Sequence, residues 1–284
     1  MKKQKKVAAI HDLSGFGKCS LTVALPILSA AGIETSVLPT AILSTHTGGF
    51  TGYTFRDLTE DIPAFAHHWK SLDLQFDGIY TGYLGSFKQL EIIKQFFTDF
   101  KRTDNIILTD PVMADNGALY PLFDMHFVEG MSKVCEKADI ITPNITEACL
   151  LAGEPYREGP YAPEFIINLF EKLTRIIGDK KIVLTGVFFN DKELGAAVYT
   201  GAGQPVEYAM QKKIDGVYHG TGDVFASALL AGVLNGFSLK RSAEIAVNFS
   251  CASIIKTHDA QTDIRFGVNF EQSLPGLMKS LALI

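Results

Sequence analysis

The sequence predicts an α/β fold, a three-layer αβα sandwich around a mostly parallel central sheet, on three observations. Short apolar runs alternate with longer helical patterns along most of the chain, as in a sheet with helices on both sides. The runs are mostly continuous rather than alternating, which suits strands buried on both faces. Nearly every run ends in polar or glycine residues ("HDLSGFG", "TGYLGS", "TDPVMADNG", "TPNITE"), and in an open parallel sheet ligands bind beyond those strand ends.

The elements follow in order. Strands are expected at 7–12, 35–40, 77–82, 105–113, 138–144 and 181–187, with helices at 20–32, 87–100 and 161–178 between them. Residues 196–201 and 208–214 suit a late antiparallel hairpin, and after Gly220 the chain reads as two long helices. No repeat, low-complexity segment or linker interrupts the pattern, so residues 1–284 are expected to form one domain.

Composition narrows the function classes. With 47% hydrophobic and 20% charged residues the chain reads as an ordinary globular protein, and its net charge of −5 gives no basic footprint for nucleic acid. The opening "MKKQKK" reads as a solvated leader to the first strand, since the apolar run behind it is too short for a signal peptide or a membrane span. Cys19, Cys135, Cys149 and Cys251 show no paired spacing, which points to reduced thiols and a cytoplasmic protein.

Three segments could carry chemistry. In "GTGD", Gly220 and Gly222 let backbone N–H groups converge on an anion at the positive end of a helix, with Asp223 beside it. Asp223 could equally serve only as a helix cap. Asp110, Asp115, Asn144 and Glu147 lie just past two strand ends, in "DPVMADNG" and "TPNITEA". They form a plausible magnesium–nucleotide surface, because magnesium takes a few oxygen ligands together with phosphates and water. Here too a structural role competes: Asp110 before Pro111 suits a turn, and Asn144 with Glu147 has capping-box spacing. Taken together, anion hole, acidic pair and carboxylate base are the parts that phosphoryl transfer needs.

At this point the chain resembles the pyridoxal kinase branch of the ribokinase-like superfamily. The likeness is carried, in order, by "STHTGG" (44–49), "TGYLGS" (81–86), "DPVMAD" (110–115), "ADIITPNITEA" (138–148), "IVLTG" (182–186) and "GTGD" (220–223). It implies ATP-dependent phosphorylation of the 5′-hydroxymethyl group of pyridoxal, pyridoxamine or pyridoxine. Asp223 would be the general base, and the amides of Gly220, Thr221 and Gly222 the hole for the transferred phosphoryl group. Asp110, Asp115 and Glu147 would organise Mg2+, partly through water, against ATP. Thr142 and Thr185, with Asp110, match the neighbourhood of the nucleotide and of a monovalent cation such as K+. Thr47 would meet the pyridine ring, Tyr83 border the substrate and Tyr120 lie over the phosphates. A homodimer without a large separate lid is implied as well.

One departure concerns the acceptor. Many pyridoxal kinases carry a serine that bonds the pyridine nitrogen in the first strand's loop, where this chain has Asp12. An aspartate suits a protonated nitrogen, and Ser14 is a rival contact. Gly15 and Gly17 would admit a ligand close to the backbone or simply make a turn. His46 could touch ligand from a loop, His67 and His68 read as a solvated helix face, and His219 could steady the anion loop or merely pack. Cys251 reads as a buried small hydrophobe. A hydroxymethylpyrimidine kinase shares the "DPVM…ITPN" pattern, and a non-catalytic pyridoxal phosphate binder is the rival from another class.

Overall fold

The computed structural model describes residues 3–284, so the first two residues of the basic leader lie outside the described residues. Strand β1 (Lys6–Ser14) leads through α1 (Leu21–Ala30) to β2 (Glu34–Leu43), and a short β3 (Phe55–Asp57) turns back on it. After α2 (Ile62–Ser71) come β4 (Gly78–Thr81), α3 (Phe87–Phe100) and β5 (Ile106–Thr109). A small hairpin, β6 (Ala114–Asp115) with β7 (Ala118–Leu119), precedes α4 (Met125–Cys135), β8 (Ile140–Ile141), α5 (Ile145–Ala152) and α6 (Pro163–Ile177). Strands β9 (Lys181–Val187), β10 (Glu193–Tyr199) and β11 (Glu207–Lys212) lead to α7 (Thr221–Leu234), α8 (Leu239–Asp259) and α9 (Leu274–Ser280).

The nine-stranded sheet runs β11-β10-β9-β8-β5-β4-β1-β2-β3. It is parallel from β2 to β9, while β10, β11 and β3 are joined by antiparallel pairing. The continuous apolar runs are explained by alternation into two cores. Ala8, Ile10, Ile182 and Leu184 face the layer of α2 to α6, whereas Val7 and Val183 face α1, α7, α8 and α9. Helix α7 is buried along most of its length, so its sequence is apolar on every side rather than along one stripe.

Two expected strands are shorter in the structure. The run at 105–113 leaves the sheet after Thr109, because Asp110 is followed by Pro111, which has no N–H for a ladder. The run at 138–144 keeps only two sheet residues, since Pro143 intervenes and Asn144 starts α5. The late hairpin is present as β10 and β11. His67 and His68 stand on the exposed face of α2, and Cys251 is half-buried on α8 rather than enclosed, its Sγ directed at the Lys212 carbonyl.

Strand order reverses at β1. The chain adds β2 and β3 on one side of it, then β4, β5, β8 and β9 on the other. The carboxyl ends of β1 and β4 meet at this switch point, which is where open α/β sheets bind ligands.

Candidate active site

The loops beyond these strand ends bring the "GTGD" segment against the first strand's loop. Gly220 has φ 75°, in the left-handed region, and a Cβ there would stand 2.2 Å from the Lys18 carbonyl oxygen. Only glycine permits that close approach. Thr221 and Gly222 then open α7, whose first-turn N–H groups have no acceptor within the helix. Gly222 is exposed, and its nearest neighbour is Asp110, whose Oδ2 lies 3.8 Å from the position of a Cβ. The helix therefore presents free amides and a nearby carboxylate to one small space.

Asp223 is buried in the first turn of α7. It makes no capping bond; Gly220 holds the cap position. Its Oδ2 accepts the Ser20 N–H at 2.9 Å and the Cys19 thiol at 3.2 Å. Burial raises its pKa to about 6, against these two donors and with help from Asp12. A carboxylate poised there is a competent base near neutral pH.

Asp12 and Ser14 lie at the end of β1, where β2 carries an extra residue between the pairs His11–Pro39 and Leu13–Ile42. Such a bulge re-aims a side chain. Asp12 accepts the hydroxyls of Ser14 (3.0 Å) and Ser20 (2.5 Å) and is buried. Burial raises its pKa, while the two hydroxyls pull it down. Ser14 is thus fully buried and committed to Asp12 in this structure. Tyr83 follows β4, half-buried, with its ring 5.8 Å from that of Phe123. Burial first, then the Asp12 charge, pushes its phenol up to about 12.

On the other side, Asp110 and Glu147 are buried neighbours. Burial, then the charges of Glu147 and Asp223, raises the pKa of Asp110 well above the ordinary carboxylate range. Burial likewise lifts Glu147 to about 8. Asn144 and Glu147 form a complete capping box on α5, and Glu147 also accepts the Met113 N–H at 3.1 Å. The capping role is therefore real and fixes Glu147 beside Asp110. Asn144 holds the "DPVMAD" segment through the Ala114 carbonyl at 2.8 Å. Thr142 is buried beside Asp110, its hydroxyl without a closed hydrogen bond. Thr185 meets the Pro143 carbonyl through its N–H at 2.9 Å. Tyr120 is half-buried, and its phenol is pushed up by burial and then by the charges of Glu147, Asp115 and Asp110.

Asp115 stands apart from the pair, exposed on β6 and accepting the N–H of Asn116 at 2.9 Å. Among the described residues, no three His, Cys, Asp or Glu side chains form a metal cluster on their own. The donor set nevertheless fits a hard cation: two buried carboxylates that repel one another, and an orphaned hydroxyl. Magnesium needs only one or two carboxylates when phosphates and water complete its shell.

Thr47 is exposed in the 44–54 loop, which is closed by bonds between Ser44 and Thr54. His46 is buried and structural: Nε2 donates to the Arg265 carbonyl at 2.7 Å and Nδ1 accepts the Gly48 N–H at 3.1 Å. Its ring occupies the space that a Cβ on Gly17 would need, at 2.3 Å, so Gly17 serves that packing. His219 packs over Gly48 and Gly49 and joins the anion loop to the 44–54 loop. Sequence reasoning missed Cys19 and Ser20 as site residues, and an aromatic lip in which Phe16 meets Phe266 at 5.0 Å and Phe50 at 6.2 Å. Ser20 was legible only as the first residue of a helix.

The fold and this cluster define a kinase of the ribokinase-like class. The chain belongs to the phosphomethylpyrimidine kinase family, whose model matches residues 28–266. It is similar to a crystallised Bacteroides thetaiotaomicron protein provisionally described as a phosphomethylpyrimidine kinase, 39% identical, covering 97% of this chain and 94% of that one at a TM-score of 0.92. A second crystal form of that protein contains pyridoxal. The pyridoxal kinase of Lactobacillus plantarum is 31% identical and covers 97% of each chain at a TM-score of 0.89. A pyridoxal kinase of Histophilus somni is 29% identical over 272 residues, 88% of this chain and 87% of its own.

Proposed function

We propose that the protein transfers the γ-phosphoryl group of ATP to the 5′-hydroxymethyl group of vitamin B6 compounds. The observation that carries this reading is Asp223: a buried carboxylate at a helix start, next to exposed Gly222, whose nearest neighbour is Asp110. Its Oδ2 is held by Ser20 and Cys19, so the carboxylate is oriented before a substrate arrives. It takes the proton of the attacking hydroxyl, and the amides of Gly220, Thr221 and Gly222 receive the oxygens of the transferred group. Asp110 and Glu147, with Thr142 nearby and Asp115 through water, hold Mg2+, which neutralises phosphate charge when bound. Thr185, Asn144 and Tyr120 line the nucleotide side, and K+ would sit near Thr142 and Thr185.

On the acceptor side Asp12 meets the ring nitrogen, Tyr83 borders the ring and Thr47 approaches from the loop. A protonated pyridine would supply the positive charge that the buried Asp12 lacks. The relatives that are pyridoxal kinases, and the one crystallised with pyridoxal, support this acceptor class. The family description favours a second reading, in which the acceptor is a hydroxymethylpyrimidine.

The proposal includes one kinase domain over residues 1–284, a cytoplasmic location and a homodimer. Among the described residues no helix is long and apolar enough to cross a membrane. Exposed Val37, Ile42 and Phe55 on β2 and β3 offer an apolar edge to a second copy. The deciding experiment offers ATP, Mg2+ and K+ with pyridoxal, pyridoxamine, pyridoxine and hydroxymethyl-aminopyrimidine in parallel. Turnover of the pyridines supports the B6 kinase. Turnover of the pyrimidine alone selects the second reading, and turnover of none leaves a binder.

A further inference from the structure

We propose that Ser20 is a positioning residue for the transfer step, holding the base and the acceptor-side carboxylate in fixed register; this rests on the reading of Asp223 as the base. Its N–H donates to Asp223 Oδ2 at 2.9 Å, and its hydroxyl donates to Asp12 Oδ1 at 2.5 Å. No other residue among those described bonds both carboxylates; Ser14 reaches only Asp12 and Cys19 only Asp223.

Two features show that the chain gives up local stability for this arrangement. Ser20 has φ 53° and ψ −126°, a conformation that glycine adopts freely and a side chain resists. It also stands at the N-cap of α1, where a serine hydroxyl ordinarily accepts an N–H from the first turn. Here that bond is absent, because the hydroxyl is turned to Asp12. The left-handed twist is what lets donor N–H and donor O–H reach two carboxylates from one residue.

The segment before Ser20 is clamped. The Lys18 N–H donates to the Phe266 carbonyl at 3.0 Å, and its own carbonyl lies against both Gly220 and Gly267. Ser20 therefore cannot drift independently of the anion loop. A ring that engages Asp12 is tied through one residue to the carboxylate that must meet its hydroxymethyl group, and the spacing between these two carboxylates selects the acceptor.

The test uses Ser20→Gly and Ser20→Ala in the full chain, with whichever of the four acceptors the wild type phosphorylates. Ser20→Gly removes the hydroxyl but relaxes the backbone, so its Tm should equal or exceed that of the wild type. Its kcat/KM should fall about 10- to 100-fold, as small misplacements of reacting groups do. Ser20→Ala keeps the strained N–H on Asp223 and loses only the Asp12 bond, so its loss should lie mainly in KM, with kcat closer to wild type. A merely structural serine would move Tm and leave this split absent.

A folded Ser20→Gly protein with kcat and KM within about twofold of wild type overturns the proposal. Failure of the B6 reading is separate, because it shows in which acceptor the wild type uses. A wild type that phosphorylates none of the four overturns both.

Discussion

The Cys19 thiol donates to Asp223 Oδ2 at 3.2 Å, on the same oxygen that accepts the Ser20 N–H. Burial and the Asp223 charge hold that thiol well above its ordinary pKa, so it remains protonated and a donor. A protonated thiol is a poor nucleophile. Wild-type activity should therefore resist iodoacetamide near neutral pH. Removal of the donor in Cys19→Ala should raise the pKa of Asp223, so the acid limb of kcat/KM moves to higher pH. Rapid inactivation by the reagent, or a limb that stays in place, would refute this account of the contact.

Asp223→Asn removes the proposed base while keeping an acceptor for its donors. A fall in kcat of about 10²- to 10⁴-fold is expected, with ATP affinity retained. The same variant should be more stable. The folded pKa of about 6 lies above the ordinary 3.8, so the folded state binds the extra proton between those values. Wild-type stability therefore falls as pH rises through that window, is fully penalised above it and is unaffected below it. Once the carboxyl is ionised in both states, the penalty on the folded state is at most roughly 3 kcal/mol. The Tm advantage of Asp223→Asn should grow from pH 4 to pH 6 and then level off; a constant difference across that range would contradict the sign.

Gly220 and Gly222 should separate fold from chemistry. An alanine at Gly220 meets the Lys18 carbonyl at 2.2 Å with φ 75°, so Gly220→Ala should lose about 1–3 kcal/mol of stability as well as activity. At Gly222 the nearest atom to a Cβ is Asp110 Oδ2 at 3.8 Å, an ordinary contact. Gly222→Ala should keep its Tm while the methyl group crowds the phosphoryl site and depresses kcat. Denaturation midpoints beside kinetics check the contrast, and equal stability losses in the two variants would remove it.

Burial disfavours ionising Asp110 and Glu147, and the Glu147 charge adds to this at Asp110, so a cation held between them would relieve the cost. Asp110→Asn should raise the Mg2+ concentration for half-maximal activity about 10- to 100-fold. Asp115→Asn, exposed and bonded to its neighbour Asn116, should have a smaller effect. Magnesium titrations of the three proteins decide this; an unchanged requirement in Asp110→Asn would move the metal away from this pair.

Periodicity made most of the sheet legible, because continuous apolar runs in β1, β4, β5 and β9 reflect two cores that both exclude water. It failed for β3, whose three residues are all exposed, and it passed over α4 although that helix is largely buried. The carboxylates of the site could be read from their places after strands. Ser20 could not, since its role depends on a backbone twist and on partners 8 and 203 positions away. Gly82 shows the same limit. The "TG" motif suggests a turn, yet the glycine is required because the buried His11 ring lies 2.2 Å from where a Cβ would be.

The order of the proposed site residues along the chain has a consequence for how such a protein can diversify. Asp12, Ser14, Thr47 and Tyr83 all precede the third helix, whereas Asp110, Thr142, Glu147, Thr185 and Asp223 all follow it. On the proposed roles, selection for a new acceptor can act mainly on the amino-terminal third of the chain while the remainder, proposed to handle phosphate, stays unchanged. The two tasks meet where Cys19 and Ser20 touch Asp223, and there innovation in one module is answerable to the other.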